Sequence, residues 1–113
     1  MNKKRRPDAA RGLAIREPVR YFAALMESRL RERDSDRGKR GWIGCDRDWL
    51  LCRVFFELGE VMYAVARRNV GEGQAEDLAE ECADAANFLM MIADQHRPRN
   101  YAVSRARRKG GSK

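Results

Sequence analysis

Residues 57–84 read ELGEVMYAVARRNVGEGQAEDLAEECAD, and their reading decides the fold. Glu57 and Glu60 open the stretch, Glu81 and Asp84 close it, and each pair has i, i+3 spacing. On an α-helix, residues three apart share a face, with Cβ atoms about 5–6 Å apart. Between the pairs Asn69 and Gly71 act as stop residues, and Gly71-Glu72-Gly73 is a short connection that favours an antiparallel helix pair. Two acidic pairs on neighbouring helices put four carboxylates around one small volume. Such a cluster repels itself unless a cation neutralises it, and oxygen donors suit a hard ion. Mg²⁺ is the expected ion, with Mn²⁺ as its substitute.

The pattern extends outward on both sides. Asp46 is an N-cap for a helix expected over 47–69, with Asp48 favoured by the helix dipole in the first turn. Leu50, Leu51, Val54, Phe55, Leu58, Val61, Met62 and Val65 follow the 3.6-residue period. Trp49, Arg53, Glu57, Glu60 and Ala64 fall along one shoulder of that stripe. The next helix is expected over 74–96, with a core stripe of Leu78, Cys82, Ala85, Ala86, Leu89, Met90 and Ala93. Asp77, Glu81, Asp84 and Phe88 line its shoulder, and small residues at 79, 82, 83, 85 and 86 permit close approach of a neighbouring helix.

Upstream, Pro18 suits the first turn of a helix. Val19, Phe22, Leu25, Met26 and Leu30 recur at helical spacing over an expected helix at 18–33. Asp34 to Gly44 is polar and glycine-containing and reads as a loop, in which Trp42 and Ile43 stand out. Pro98 ends the last long helix, and Tyr101 begins a candidate short fourth one. The expected organisation is a basic flexible arm at 1–17, one all-α domain at 18–104 and a basic tail at 105–113. The fold expected is an antiparallel helical bundle of three main helices plus a short C-terminal one, completed by oligomerisation. At 113 residues the chain holds one modest core.

Charge is segregated along the chain. Residues 1–40 carry thirteen Lys/Arg and six Asp/Glu, residues 41–96 carry four and eleven, and residues 97–113 carry seven and none. An acidic middle of −7 therefore lies between ends of +7 each. Basic ends solubilise, or steer a polyanion toward the protein, while the acidic middle disfavours nucleic acid as a partner. No apolar run approaches the ~20 residues that span a bilayer, and no apolar segment follows the basic N-terminus as in a secretory signal. Cys45, Cys52 and Cys82 are odd in number and lack CxxC spacing, which argues against a disulfide framework and suits a reducing cytoplasm.

Acids on a helix are ordinarily a solvated face. Here both pairs border apolar stripes, where like charges raise one another's pKa or bind a cation. Di-iron bundles need Glu-x-x-His ligands, and His96, the sole histidine, is in register with no glutamate. Phosphate-binding glycine loops, EF-hand loops and nucleophile triads are missing.

Glu57-x-x-Glu60, a twenty-residue interval and Glu81-x-x-Asp84 together resemble the motif of the MazG-like, all-α nucleoside triphosphate pyrophosphohydrolases. Glu80-Glu81-Cys82-Ala83-Asp84 followed by Asn87-Phe88-Leu89-Met90 is similar to that family's acidic-then-apolar helix, and Trp42 and Trp49-Leu50-Leu51 resemble some short members. The resemblance covers about residues 42–96. It implies Mg²⁺-dependent hydrolysis of a ribo- or deoxyribonucleoside triphosphate to the monophosphate and pyrophosphate, in nucleotide-pool control, by a homodimer or homotetramer. It further implies that Glu57, Glu60, Glu81 and Asp84 hold the metal, one of them alternatively taking the water's proton.

Candidate substrate contacts are Arg53, Arg67 and Arg97 for phosphate, Asn87 for sugar or phosphate, and Trp42 and Trp49 for stacking on a base. Each has an alternative: solubilising or salt-bridging arginines, a polar surface asparagine, packed tryptophans. Two other functions compete, a nucleic-acid-binding helical module that uses the basic ends and a structural adaptor whose acids are merely solvated.

Overall fold

The computed structural model describes residues 13–37 and 41–98. The basic tail and the candidate helix from Tyr101 lie outside them, as does most of the basic N-terminal arm. Among the described residues every regular element is helical: α1 (Glu17–Glu32), α2 (Asp34–Arg37), a 3₁₀ turn (Gly41–Gly44), α3 (Arg47–Asn69) and α4 (Ala75–Gln95). None of these helices is long and apolar enough to cross a membrane.

α1 begins one residue ahead of the expected start, with Pro18 in its first turn. It ends where the Arg33 N–H turns back to the Leu30 carbonyl at 3.0 Å. The segment expected as a loop holds two short helical pieces. Asp34 and Asp36 sit in the first turn of α2, where acids favour the positive end of the helix dipole. The 3₁₀ turn is fastened from α4: Gln95 Nε2 donates to the carbonyls of Trp42 and Cys45, both at 2.8 Å, and Trp42 Nε1 donates to Asp94 at 3.0 Å. A fixed 3₁₀ turn therefore replaces the loop expected around Trp42.

α3 has the bounds its sequence implies. The Asp46 carboxylate accepts from the Trp49 N–H at 3.0 Å, satisfying a donor that the helix start leaves unpaired. The reversal into α4 depends on Gly71 and Gly73, with φ of +80° and +75°. Residues with a Cβ rarely adopt that left-handed region. Asp77 then accepts from the Gln74 N–H at 3.2 Å at the start of α4.

Contacts between α3 and α4 run in opposite chain order, Trp49 and Arg53 against Phe88 at one end and Arg67 against Gly73 at the other. The broad apolar stripe of α3 is split in two. Leu50, Val54, Glu57 and Ala64 are buried, whereas Leu51, Phe55, Leu58, Met62 and Val65 are exposed, Phe55 by 68% and Met62 by 71%. Neighbouring stripes are rotated by about 100°, and a single facing helix covers only one. On α4 the buried positions are Ala83, Ala85, Asn87 and Met91. Leu89, expected in the core, is half exposed, so the buried face is rotated from the expected one. Ala83 is fully covered.

The core unites Leu30 of α1, Leu50 of α3 and Met91 of α4, with Trp42, Cys45 and Phe88 packed against it. Burying a side chain such as Leu50 or Met91 contributes about 1.5–3 kcal/mol each. This core clamps α1 and the 3₁₀ turn to the helix pair and fixes the faces that carry the acids.

Candidate metal centre

Glu57 occupies a position of the buried α3 stripe and is only 8% exposed. From α4, Glu81 and Asp84 approach it one turn apart. One carboxylate oxygen from each of Glu57, Glu81 and Asp84 lies within 4.8 Å of the other two. Glu60 stands one turn beyond Glu57, outside that trio of oxygens, and lines an adjoining groove with Glu80 and Glu81.

The trio is electrostatically uncomfortable. Burial raises the Glu57 pKa above the ordinary carboxylate value, the Asp84 charge adds to the rise, and Arg53 offsets part of it. Burial likewise raises the Glu81 pKa, followed by the charges of Asp84, Glu57 and Glu60, with Arg29 opposing. Glu60 and Glu81 form no ion pair among the described residues.

Two guanidinium groups pair with these acids, and a third, that of Arg33, lines the same cavity as Glu57 and Asp84. Arg53, one turn before Glu57 on α3, donates Nη2 to it at 3.0 Å. Its cation rests over Phe56 at 4.6 Å, Phe88 at 5.5 Å and Trp49 at 6.0 Å. Trp49 meets Phe88 edge to face, with ring centroids 6.4 Å apart. These rings hold the charged group in place through their negative faces. Trp49 therefore contacts the site through Arg53.

The second group is Arg29 of α1, a residue the sequence reading did not select. Its Nε and Nη2 each donate to one oxygen of Asp84 at 2.9 Å, and Nη1 reaches Glu32 at 3.0 Å and Glu80 at 3.4 Å. These carboxylates raise its already high pKa, the Asp84 hydrogen bond most strongly. A signal was available in the sequence. Arg29 falls three residues after Met26 and four after Leu25, on the side of α1 that carries the apolar spacing rather than opposite it.

Asn87, three residues past Asp84, is 4% exposed. Its Nδ2 donates to the Met26 carbonyl at 3.0 Å, tying α4 to α1, which leaves Oδ1 buried without a partner among the described residues. A buried acceptor in that state costs about 1–3 kcal/mol. Asn87 lines the same cavity as Arg29, Glu57 and Asp84. Three carboxylates with raised charge density and a neutral amide oxygen beside them form a donor set that fits a hard divalent cation.

The remaining sequence candidates divide by position. Arg67 lines the groove with Glu60, Tyr63 and Arg68, its guanidinium 5.9 Å from the Tyr63 ring and 3.9 Å from Glu72. Trp42 and Arg97 instead meet at Asp94, with which Arg97 forms an ion pair at 2.6 Å. Asp94 lies ten residues along α4 from Asp84, about 15 Å at 1.5 Å per residue, so the structure does not bring Trp42 and Arg97 together with the acids.

Glu57, Glu81 and Asp84 thus form a cluster that could hold a metal ion, paired with Arg29 and Arg53 and adjoining a groove lined by four acids and two arginines. No family model, no curated protein and no solved structure matches this chain.

Proposed function

We propose that this chain is a Mg²⁺-dependent nucleoside triphosphate pyrophosphohydrolase of the MazG-like type, converting a (d)NTP and water to the (d)NMP and pyrophosphate. The observation that carries this reading is the meeting of Glu57, Glu81 and Asp84 within 4.8 Å, beside a groove that Arg67 and Arg68 line. Solvated acids alone would not require burial of Glu57 in the α3–α4 interface.

In this reading Glu57, Glu81 and Asp84 hold Mg²⁺. When bound, the ion polarises a phosphoryl oxygen and lowers the pKa of a coordinated water. Glu60, outside the trio and without an ion pair among the described residues, accepts the proton of the attacking water. Arg67 and Arg68 bind the phosphate groups that become pyrophosphate, with charge-assisted hydrogen bonds that planar guanidinium groups make well. Arg53, locked among three rings, keeps the Glu57 carboxylate in place. Phe88, which lines the cavity with Glu57 and Asp84, and Trp49 edge to face with it offer a flat apolar surface for a base.

The functional unit in this reading is an oligomer, a homodimer or a homotetramer, in which the helices of each chain form part of a larger bundle. Leu51, Phe55, Leu58, Met62 and Val65 follow alternating steps of four and three residues, the spacing of a coiled-coil seam. All five are exposed. A second copy of the chain covers this seam, which runs alongside the stripe that carries Glu57.

The test is incubation of purified protein with Mg²⁺ and a panel of ribo- and deoxyribonucleoside triphosphates. Turnover abolished by EDTA, by Glu57→Gln and by Asp84→Asn, with helix content intact, is the expected result. Turnover retained in both variants overturns the metal-site assignment. Indifference of the wild type to every nucleotide, with salt-sensitive binding to nucleic acid, would favour the nucleic-acid-binding alternative.

A further inference from the structure

Arg29 contributes more to the acidic centre than general neutralisation. Both oxygens of Asp84 are engaged by its fork at 2.9 Å, and the side chain is only 18% exposed. It comes from α1, 55 residues away in sequence. α1 is held to the helix pair independently, through Leu30 in the core and the Met26 carbonyl bonded to Asn87. The guanidinium can therefore change partners while its helix stays docked. A metal ion taking Asp84 places a divalent charge beside a guanidinium that already holds both oxygens of that carboxylate. Two cations on one carboxylate repel, and one of them must yield.

A second observation separates this cluster from an ordinary acidic surface. The Asn87 oxygen is buried and has no partner among the described residues, and Asn87 lines the same cavity as Arg29, Arg33, Glu57 and Asp84. A buried acceptor there asks for a bound cation or an ordered water that the fold itself does not supply.

Resting on the reading of this centre as a metal site, we propose that Arg29 is the resident counter-ion of Asp84 and competes with the divalent cation for it. In the metal-free protein Arg29 stands in for the ion. When the cation binds, the fork loosens from Asp84, and its freed donors turn to the phosphate groups of the substrate, the one other anion that enters the site. Arg29 thus links occupation of the metal site to capture of a triphosphate. It positions the ligand set before binding and contacts substrate after it.

The experiment measures binding of Mn²⁺ alone, without nucleotide, by the electron paramagnetic resonance signal of free Mn²⁺. Arg29→Gln removes the competitor and is expected to tighten Mn²⁺ binding about tenfold, equivalent to about 1.4 kcal/mol. Arg29→Lys keeps the charge but loses the fork, and a smaller tightening of about two- to threefold is expected. It carries the test if circular dichroism shows the glutamine variant to be misfolded. In the Mn²⁺-saturated proteins, Arg29→Gln is expected to bind inorganic tripolyphosphate about tenfold more weakly than the wild type. Wild-type protein that binds Mn²⁺, with variants that bind it equally or less tightly, would overturn the competition and leave Arg29 as a brace for Asp84. Wild-type protein and variants that all fail to bind Mn²⁺ would overturn the metal-site reading itself, and this proposal with it.

Discussion

Replacing Glu57 by glutamine has opposite consequences with and without metal. The glutamine keeps the size of the side chain and removes its charge. In the metal-free protein that charge is disfavoured: burial and Asp84 raise the Glu57 pKa despite the Arg53 contact. A carboxyl group whose pKa is raised on folding stabilises the fold below its unfolded value, and that contribution is lost as pH rises through the folded pKa. At pH 7–8 the group is charged at a cost to the fold, so metal-free Glu57→Gln is expected to melt above the wild type. The advantage shrinks as pH falls toward 4.5, the reference value for this group.

Addition of Mn²⁺ reverses the order. At one hundred times its dissociation constant, a ligand of the native state alone adds about 2.7 kcal/mol. For a domain of this size that raises Tm by roughly 10–20 °C. Loss of one of the three proposed carboxylate ligands is expected to weaken binding about a hundredfold, leaving only about 0.4 kcal/mol and a rise of roughly 2–3 °C at the same ion concentration. Thermal unfolding followed by circular dichroism measures both effects. An equal Mn²⁺-induced rise in the two proteins, or a metal-free variant that melts below the wild type at pH 7.5, would refute the reasoning.

Three further outcomes follow from other parts of the structure. Met62→Glu on the exposed α3 seam is expected to shift the protein toward monomer in sedimentation velocity with helix content retained, and an unchanged mass would remove the seam from the interface. Gly71→Ala forces a Cβ into φ of +80° and is expected to cost about 1–2 kcal/mol, read as a lowered denaturant midpoint; open space around that position makes strain the only source of the loss. Arg67→Ala is expected to raise KM for the triphosphate about tenfold while leaving Mn²⁺ affinity within about twofold, and unchanged KM would move phosphate binding elsewhere.

The helical pair was legible because its signals are local. Asp46 marked the start of α3, Asn69 and Gly71 its end, and the short connection set Glu57 of α3 against Glu81 and Asp84 of α4. What the sequence could not assign was which of two adjacent apolar stripes is buried. Leu51 and Phe55 look as suitable for a core as Leu50 and Val54, and only the one-helix width of α4 decides between them. Glu57 therefore proved deeper than a shoulder position suggests, while Glu60 stayed outside the trio.

Trp42 illustrates the complementary limit. Its polar, glycine-containing neighbourhood reads as a loop, but two side chains of α4, Asp94 and Gln95, fix it through tertiary contacts. Arg29 was hidden for the same reason. Its place on the apolar side of α1 hints at burial, but its partner Asp84 meets it only when α1 docks on α4.

In the proposed function the acidic centre hydrolyses nucleoside triphosphates between the α- and β-phosphorus atoms. Phosphorus-31 nuclear magnetic resonance of the reaction with Mg²⁺ and the triphosphate panel tests it most directly. Monophosphate and pyrophosphate forming in equal amounts, and neither forming after EDTA, is the predicted result. Diphosphate and phosphate, or no consumption of any nucleotide in the presence of Mg²⁺, would contradict it.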